Sequence, residues 1–101
     1  MVLVGAGGVL AELYQDHALA VAPVTPAQAE EMIARVKGLA VIRGYRNLPR
    51  GDVGALARAI AAFSALAHEA FADVSEAEIN PLLVKRDGEG VVAVDGLVIL
   101  A

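Results

Sequence analysis

The chain is predicted to fold as α+β, an antiparallel sheet with two helices on one face, its elements running βββααββ. Apolar alternation with period two is confined to the two ends of the 101 residues, and two stretches with helical periodicity lie between them. Gly, Pro and Asp punctuate the boundaries. Strands clustered apart from helices, with no strand–helix alternation, indicate α+β and exclude a parallel α/β arrangement.

Val2 to Val4 is read as the first strand, broken by Gly5-Ala6-Gly7-Gly8. Val9 to Tyr14 alternates and is read as the second, with Asp16-His17 as a turn. Ala18 to Ala22 is the third, stopped by Pro23, which cannot donate to a ladder. Thr25 then marks a helix start: it is an N-cap residue, Pro26 suits the first helical position, and Gln28 completes a capping box. Ala29, Met32, Ile33 and Val36 make an apolar stripe at helical spacing, and Gly38 is placed as the residue just past the helix end. Leu39 to Ile42 leads into a loop over Arg43 to Gly51. Asp52 caps the second helix, expected to reach about Phe71 with Leu56, Ile60, Phe63, Ala67 and Ala70 on its buried face. From Glu76 the period returns to two, Asp87-Gly88 is a hairpin turn, and Val91 to Leu100 is the last strand.

Composition narrows the function classes. Net charge is −4, with no run of Lys or Arg, so the basic footprint that nucleic acid requires is missing. Without cysteine there is neither a disulfide scaffold nor a thiolate metal site. No apolar run reaches the ~20 residues of a membrane-spanning helix, and a cytoplasmic location is the expectation. The hydrophobic fraction is 57%, above the ~45–50% of ordinary soluble domains, which suggests apolar surface covered by another domain or subunit. The chain starts and stops inside apolar, strand-like segments, so it is expected to be one domain, residues 1–101, cut from a longer protein.

The strongest chemical constellation lies in the final hairpin. With Asp87-Gly88 as its turn, Arg86 pairs with Glu89 and counting back sets Asn80 opposite Asp95, with Glu78 one pleat further on the same face. Two carboxylates and an amide oxygen are hard donors of the kind Mg²⁺ takes, with waters and nucleotide phosphates completing the octahedron. A plain solvated face is the alternative. Against it stand the apolar neighbours of Asp95 and the presence of Pro81, a ladder-breaking residue, in a strand that otherwise reads as internal.

The run Glu78-Ile79-Asn80-Pro81-Leu82, followed by Ala93-Val94-Asp95-Gly96, resembles the metal-binding hairpin of the succinyl-CoA synthetase and ADP-forming acyl-CoA synthetase superfamily. Gly5 to Asp16 is similar to that family's G-x-G-G-x-x-x-E-x-x-x-D segment, Ala22-Pro23-Val24 to its A-P-L, and Arg43-Gly44-Tyr45-Arg46 to its G-x-R-G loop. The segments fall in the family's order, and the resemblance spans essentially the whole chain. The resemblance implies the C-lobe of an ATP-grasp domain. It implies Mg²⁺ held by Asn80 and Asp95, with Glu78 near the phosphates, and ATP as cosubstrate in the complete enzyme. Glu12 and Asp16, on one face of their strand, are candidates to border the nucleotide, with a structural role as the alternative. Arg46 is a candidate phosphate contact, with helix capping or plain solvation as the alternatives. Where the family has Gly after the loop arginine this chain has Asn47. The implied partners are the other ATP-grasp lobe and the CoA-binding domains or subunit; self-association is expected separately, from the apolar strand ends Val2-Leu3-Val4 and Val98-Ile99-Leu100. Neither His17 nor His68 matches the family's phosphoryl-carrying histidine, and both are read as surface residues. The isolated chain is therefore expected to be inactive. A stand-alone interaction module that kept the fold without the enzyme is the rival reading.

Overall fold

A computed structural model describes residues 1–7 and 13–101. It is α+β throughout, and its described strands all pair antiparallel. Strands β1 (Val2–Gly5) and β2 (His17–Ala20) pair with Val2 opposite Ala20 and Val4 opposite Ala18. Alternation then decides the faces: Val2 and Ala18 are buried while the directly paired Leu3 and Leu19 look outward. The expected strand over 9–14 lies mostly outside the described residues, and its described end, Leu13 and Tyr14, is helical.

Helix α1 (Pro26–Arg35) starts as its sequence dictates. The Thr25 hydroxyl accepts from the Gln28 amide at 3.1 Å, and the Gln28 side chain accepts from the Thr25 amide at 2.8 Å. Ala29, Met32, Ile33 and Val36 are completely buried. The helix ends before Gly38, because Val36 turns extended (ψ 111°) and the next two amides find another acceptor. Asp16 takes them both, Oδ1 from the Lys37 amide at 2.8 Å and Oδ2 from the Gly38 amide at 2.7 Å. Gly38 is thus not a helix-ending residue but a close-contact one: a Cβ there would lie 2.9 Å from the Ala6 Cβ and 3.0 Å from Asp16 Oδ2. A 3₁₀ segment, Lys37–Arg43, follows.

Helix α2 (Val53–Ser64) begins on Asp52 as expected and packs against α1, but it is shorter than its apolar stripe suggests. Two 3₁₀ turns, Ala65–Ala67 and Glu69–Phe71, replace its expected last turns, and Ala67 and Ala70 are exposed. Buried Ser64 supplies a reason. Its hydroxyl donates back to the Ala61 carbonyl at 2.7 Å and accepts the Val24 amide at 2.9 Å, which ties the helix end to the start of α1. The chain is extended at His68, whose Nδ1 accepts from the Ala70 amide at 3.0 Å.

Strands β3 (Val74–Ile79), β4 (Leu82–Val84), β5 (Val91–Ala93) and β6 (Gly96–Leu100) form one long hairpin. One register runs through both ladders, from Glu76 opposite Ile99 to Val84 opposite Val91. The single strand expected over Val91 to Leu100 is two, separated at Val94 and Asp95, where Asn80 and Pro81 face them and Pro81 has no N–H to give.

The core comprises Val2, Ala18, Val24, Ala29, Met32, Ile33, Val36, Leu56, Ala57 and Ile60, with Leu82, Val84 and Val91 of the hairpin packed at its margin. The far half of the hairpin leaves that core. Leu97, Val98, Ile99 and Leu100 are 43–64% exposed, which is where the high hydrophobic fraction is displayed.

Candidate functional site

The candidate site is positioned by the hairpin, and the hairpin is held at its turn. The Glu89 amide donates to the Arg86 carbonyl at 2.8 Å and Gly88 takes a positive φ of 85°, which closes the turn. The preceding loop grips it from outside: the Asp87 amide donates to the Arg50 carbonyl at 2.9 Å, and the Asp52 amide donates to the Lys85 carbonyl at 2.8 Å. Asp52 closes the clamp. Its buried carboxylate caps α2 through the Ala55 amide at 3.0 Å and accepts the Gly90 amide at 2.9 Å. The Ala55 amide, then the Gly90 amide, hold this carboxyl below the usual carboxylate range; the Gly88 amide and the Arg58 charge add to the effect, and burial opposes it.

From that turn the register carries down to the break. The Asn80 amide donates to the Asp95 carbonyl at 3.0 Å and the Val94 amide to the Pro81 carbonyl at 3.0 Å, so Asn80 and Asp95 face one another across the hairpin. The Asn80–Pro81 peptide is cis. Glu78 lies two residues back, opposite Leu97. All three side chains are exposed. Glu76, Glu78 and Leu97 border a shallow open depression on the β3–β6 ladder. Among the described residues no three His, Asp or Glu side chains converge on a cation. What the hairpin offers is one carboxylate and one amide oxygen in water. That donor set fits Mg²⁺, which keeps several waters and takes few protein ligands, and does not fit a cation needing a closed protein cage. The apolar neighbours of Asp95 do not discriminate a site from a solvated face, since Val92, Val94 and Leu97 are themselves exposed.

Arg46 stands in the loop between the 3₁₀ segment and α2, exposed and in the left-handed region (φ 53°, ψ 47°). Asn47 follows at φ 64°. Left-handed backbone is where Gly is free and Asn is the best-tolerated alternative. Asn47 is therefore suited to the left-handed turn in which it stands. Glu12 lies outside the described residues. Asp16, adjacent in that segment, has both carboxylate oxygens engaged by backbone amides and serves structure. His17 and His68 are exposed, as expected. Sequence reasoning missed Ser64 and the second role of Asp52, since both act on residues distant in sequence.

The α+β fold is that of solved ATP-grasp relatives, at a TM-score of 0.87, and the chain belongs to the ATP-grasp family, whose domain matches residues 1–100. The chain is 30% identical over 99 residues to the beta subunit of an ADP-forming acetate–CoA ligase II of Pyrococcus furiosus, covering 98% of this chain and 42% of that one. It is 34% identical over 92 residues to an ADP-forming acetate–CoA ligase I of Archaeoglobus fulgidus, covering 91% of this chain and 13% of that one. Among solved structures it superposes on a dinucleotide-forming acetyl-coenzyme A synthetase 1 of Ca. Korarchaeum cryptofilum, in complex with coenzyme A and Mg-AMPPCP. There the TM-score is 0.87 and the identity 30%, over 98% of this chain and 45% of that one. The chain thus spans less than half the length of these relatives. No helix among the described residues is long and apolar enough to cross a membrane.

Proposed function

We propose that this chain is the C-terminal lobe of the ATP-grasp domain of an ADP-forming acyl-CoA synthetase, and that it contributes the metal side of the Mg-ATP site. In the complete enzyme an acyl acid, CoA and ATP would give acyl-CoA, ADP and phosphate. The observation that carries the reading is the pairing of Asn80 with Asp95 at the break between the two hairpin ladders. Asn80 Oδ1 and the Asp95 carboxylate would hold Mg²⁺, with Glu78 and Arg46 near the phosphates. When bound, the cation would screen and clamp the phosphate oxygens for transfer. Glu12 is proposed to border the nucleotide from the first segment.

The remaining lobe, the CoA-binding domains and the phosphoryl-carrying histidine would come from outside residues 1–101, so the isolated chain turns nothing over. A cytoplasmic location and self-association belong to the same reading. The test follows the amide NMR spectrum of the chain during titration with Mn²⁺, a paramagnetic stand-in for Mg²⁺. Broadening centred on Glu78 to Leu82 and Val94 to Gly96, lost in Asn80→Ala and Asp95→Ala, is expected. Broadening that survives both substitutions refutes the site, and acyl-CoA synthesis by the pure chain refutes the division of labour.

A further inference from the structure

The loop that clamps the hairpin turn also forms, with β4, a second surface depression. Three cations line it, Arg50 from the loop and Lys85 and Arg86 from the hairpin, over a floor that includes Val41, Ile42 and Val84. No lining residue is acidic. This is a concentration of charge, since the chain has only 8 Lys and Arg against 12 Asp and Glu. The nearest buried carboxylate, Asp52, is occupied by the Ala55 and Gly90 amides. The depression is fixed by backbone bonds on both sides. The Gly51 amide donates to Ile42 at 2.7 Å, and Gly51 bridges Arg86. A Cβ on Gly51 would lie 2.9 Å from the Ile42 Cβ and 3.1 Å from Val84 Cγ1, so this packing requires glycine. The site lies five residues along the strand from Asn80, roughly 17 Å at the rise of an extended chain, and is separate from the proposed metal pair.

We propose that this depression docks an acidic segment of another polypeptide that carries apolar side chains between its carboxylates. Positive charge selects a negative partner, and charges at an interface rim set encounter and specificity. A small anion such as phosphate is a poorer match for two reasons. Phosphate sites lean on free backbone amides, and here the Gly51, Asp52, Val53 and Asp87 amides are all consumed by carbonyls. The apolar floor would also stay uncovered under a phosphate, whereas a peptide side chain fills it.

The experiment follows the amide spectrum of the chain at low salt with four probes. These are a short capped peptide alternating Glu and Leu, the same peptide with Ser for Leu, the same with Lys for Glu, and inorganic phosphate. The Glu–Leu peptide is expected to shift amides of residues 41–42, 50–51 and 84–86, and to weaken as salt rises. The combined variant Arg50→Glu, Lys85→Glu, Arg86→Glu should bind it about tenfold more weakly or worse. All three side chains are exposed, and the spectrum itself reports whether the variant is folded. Should it not fold, Lys85→Gln with Arg86→Gln is read in its place, with a smaller loss in the same direction. The proposal is overturned if the Glu–Leu peptide shifts nothing there, if the Lys peptide or phosphate shifts the same amides as strongly, if the Ser peptide binds as well, or if the folded variant binds like wild type.

Discussion

Replacing Ser64 with alanine tests whether the end of α2 is set by a tertiary hydrogen bond. On an exposed helix the change would stabilise, since alanine is the better helix former by at most about 0.7 kcal/mol. Here Ser64 is 4% exposed and its hydroxyl accepts the amide of Val24, itself 7% exposed, at 2.9 Å. Removing the acceptor leaves a buried N–H without a partner, a loss of about 1–3 kcal/mol. The bond from the hydroxyl to the Ala61 carbonyl is also lost. Set against the gain in propensity, the net is a destabilisation of about 1–2 kcal/mol. For a domain of this length that lowers Tm by roughly 4–15 °C. Urea unfolding followed by far-ultraviolet circular dichroism gives the free energy directly, and Ser64→Thr, which keeps the hydroxyl, serves as the milder comparison. An alanine variant as stable as wild type or more so would refute the reasoning and return the helix end to local propensity.

Gly38→Ala and Gly51→Ala each force a Cβ to within 2.9 Å of another carbon and should cost about 1–3 kcal/mol in the same unfolding assay; two neutral results would mean both contacts relax freely. Asn47→Gly should be neutral or slightly stabilising, and Asn47→Val should cost about 1–2 kcal/mol, because φ is 64° there; equal stabilities would deny the left-handed turn. Asp52 has a lowered folded pKa, so the stability it contributes is present above the ordinary carboxylate value and is lost as pH falls through that value toward the folded one. Asp52→Asn should be less stable at neutral pH and show a shallower loss in acid, and parallel stability–pH curves would contradict this. Light scattering at micromolar concentration should find a dimer, because all five residues of β6 are exposed and none is charged; a clean monomer would count against it.

Legibility in the sequence followed the range of the interactions. The start and buried face of helix α1 could be read because its cap, its first-turn proline and its stripe lie within twelve residues of one another, whereas its end could not, being set by Asp16 on the Lys37 and Gly38 amides. The pairing of Asn80 with Asp95 could be read by counting, since the Asp87-Gly88 turn fixes the register and nothing slips it before Glu76. The end of α2 could not, because the apolar stripe continues past Ser64 while the deciding partner, Val24, is forty residues away. The split of the last strand was hidden for a related reason. Apolar residues run on both sides of Asp95-Gly96, which masks this pair as a breaker, and the ladder bond missing there is the one that Pro81, without an N–H, cannot donate. Hydropathy misled around Asp95, whose apolar neighbours argued against a solvated face, since it records how strongly a side chain favours burial and not whether this chain supplies a surface to bury it.

The second role of Asp52, a bond to Gly90 thirty-eight residues away, was likewise hidden from the sequence. The core is complete without the far half of the hairpin, which contributes no fully buried side chain. The Asn80–Asp95 pair is therefore not held in place by packing around it. It is placed by register from the turn, and the turn is placed by the Asp52 carboxylate, the Arg50 carbonyl and the Gly51 bridge at the start of α2. A hairpin held at its turn sets Asn80 and Asp95 by register while its outer half stays exposed. Loosening Asp52 should on this account disturb Asn80 and Asp95 without unfolding α1, whose own contacts lie with β2 and the body of α2.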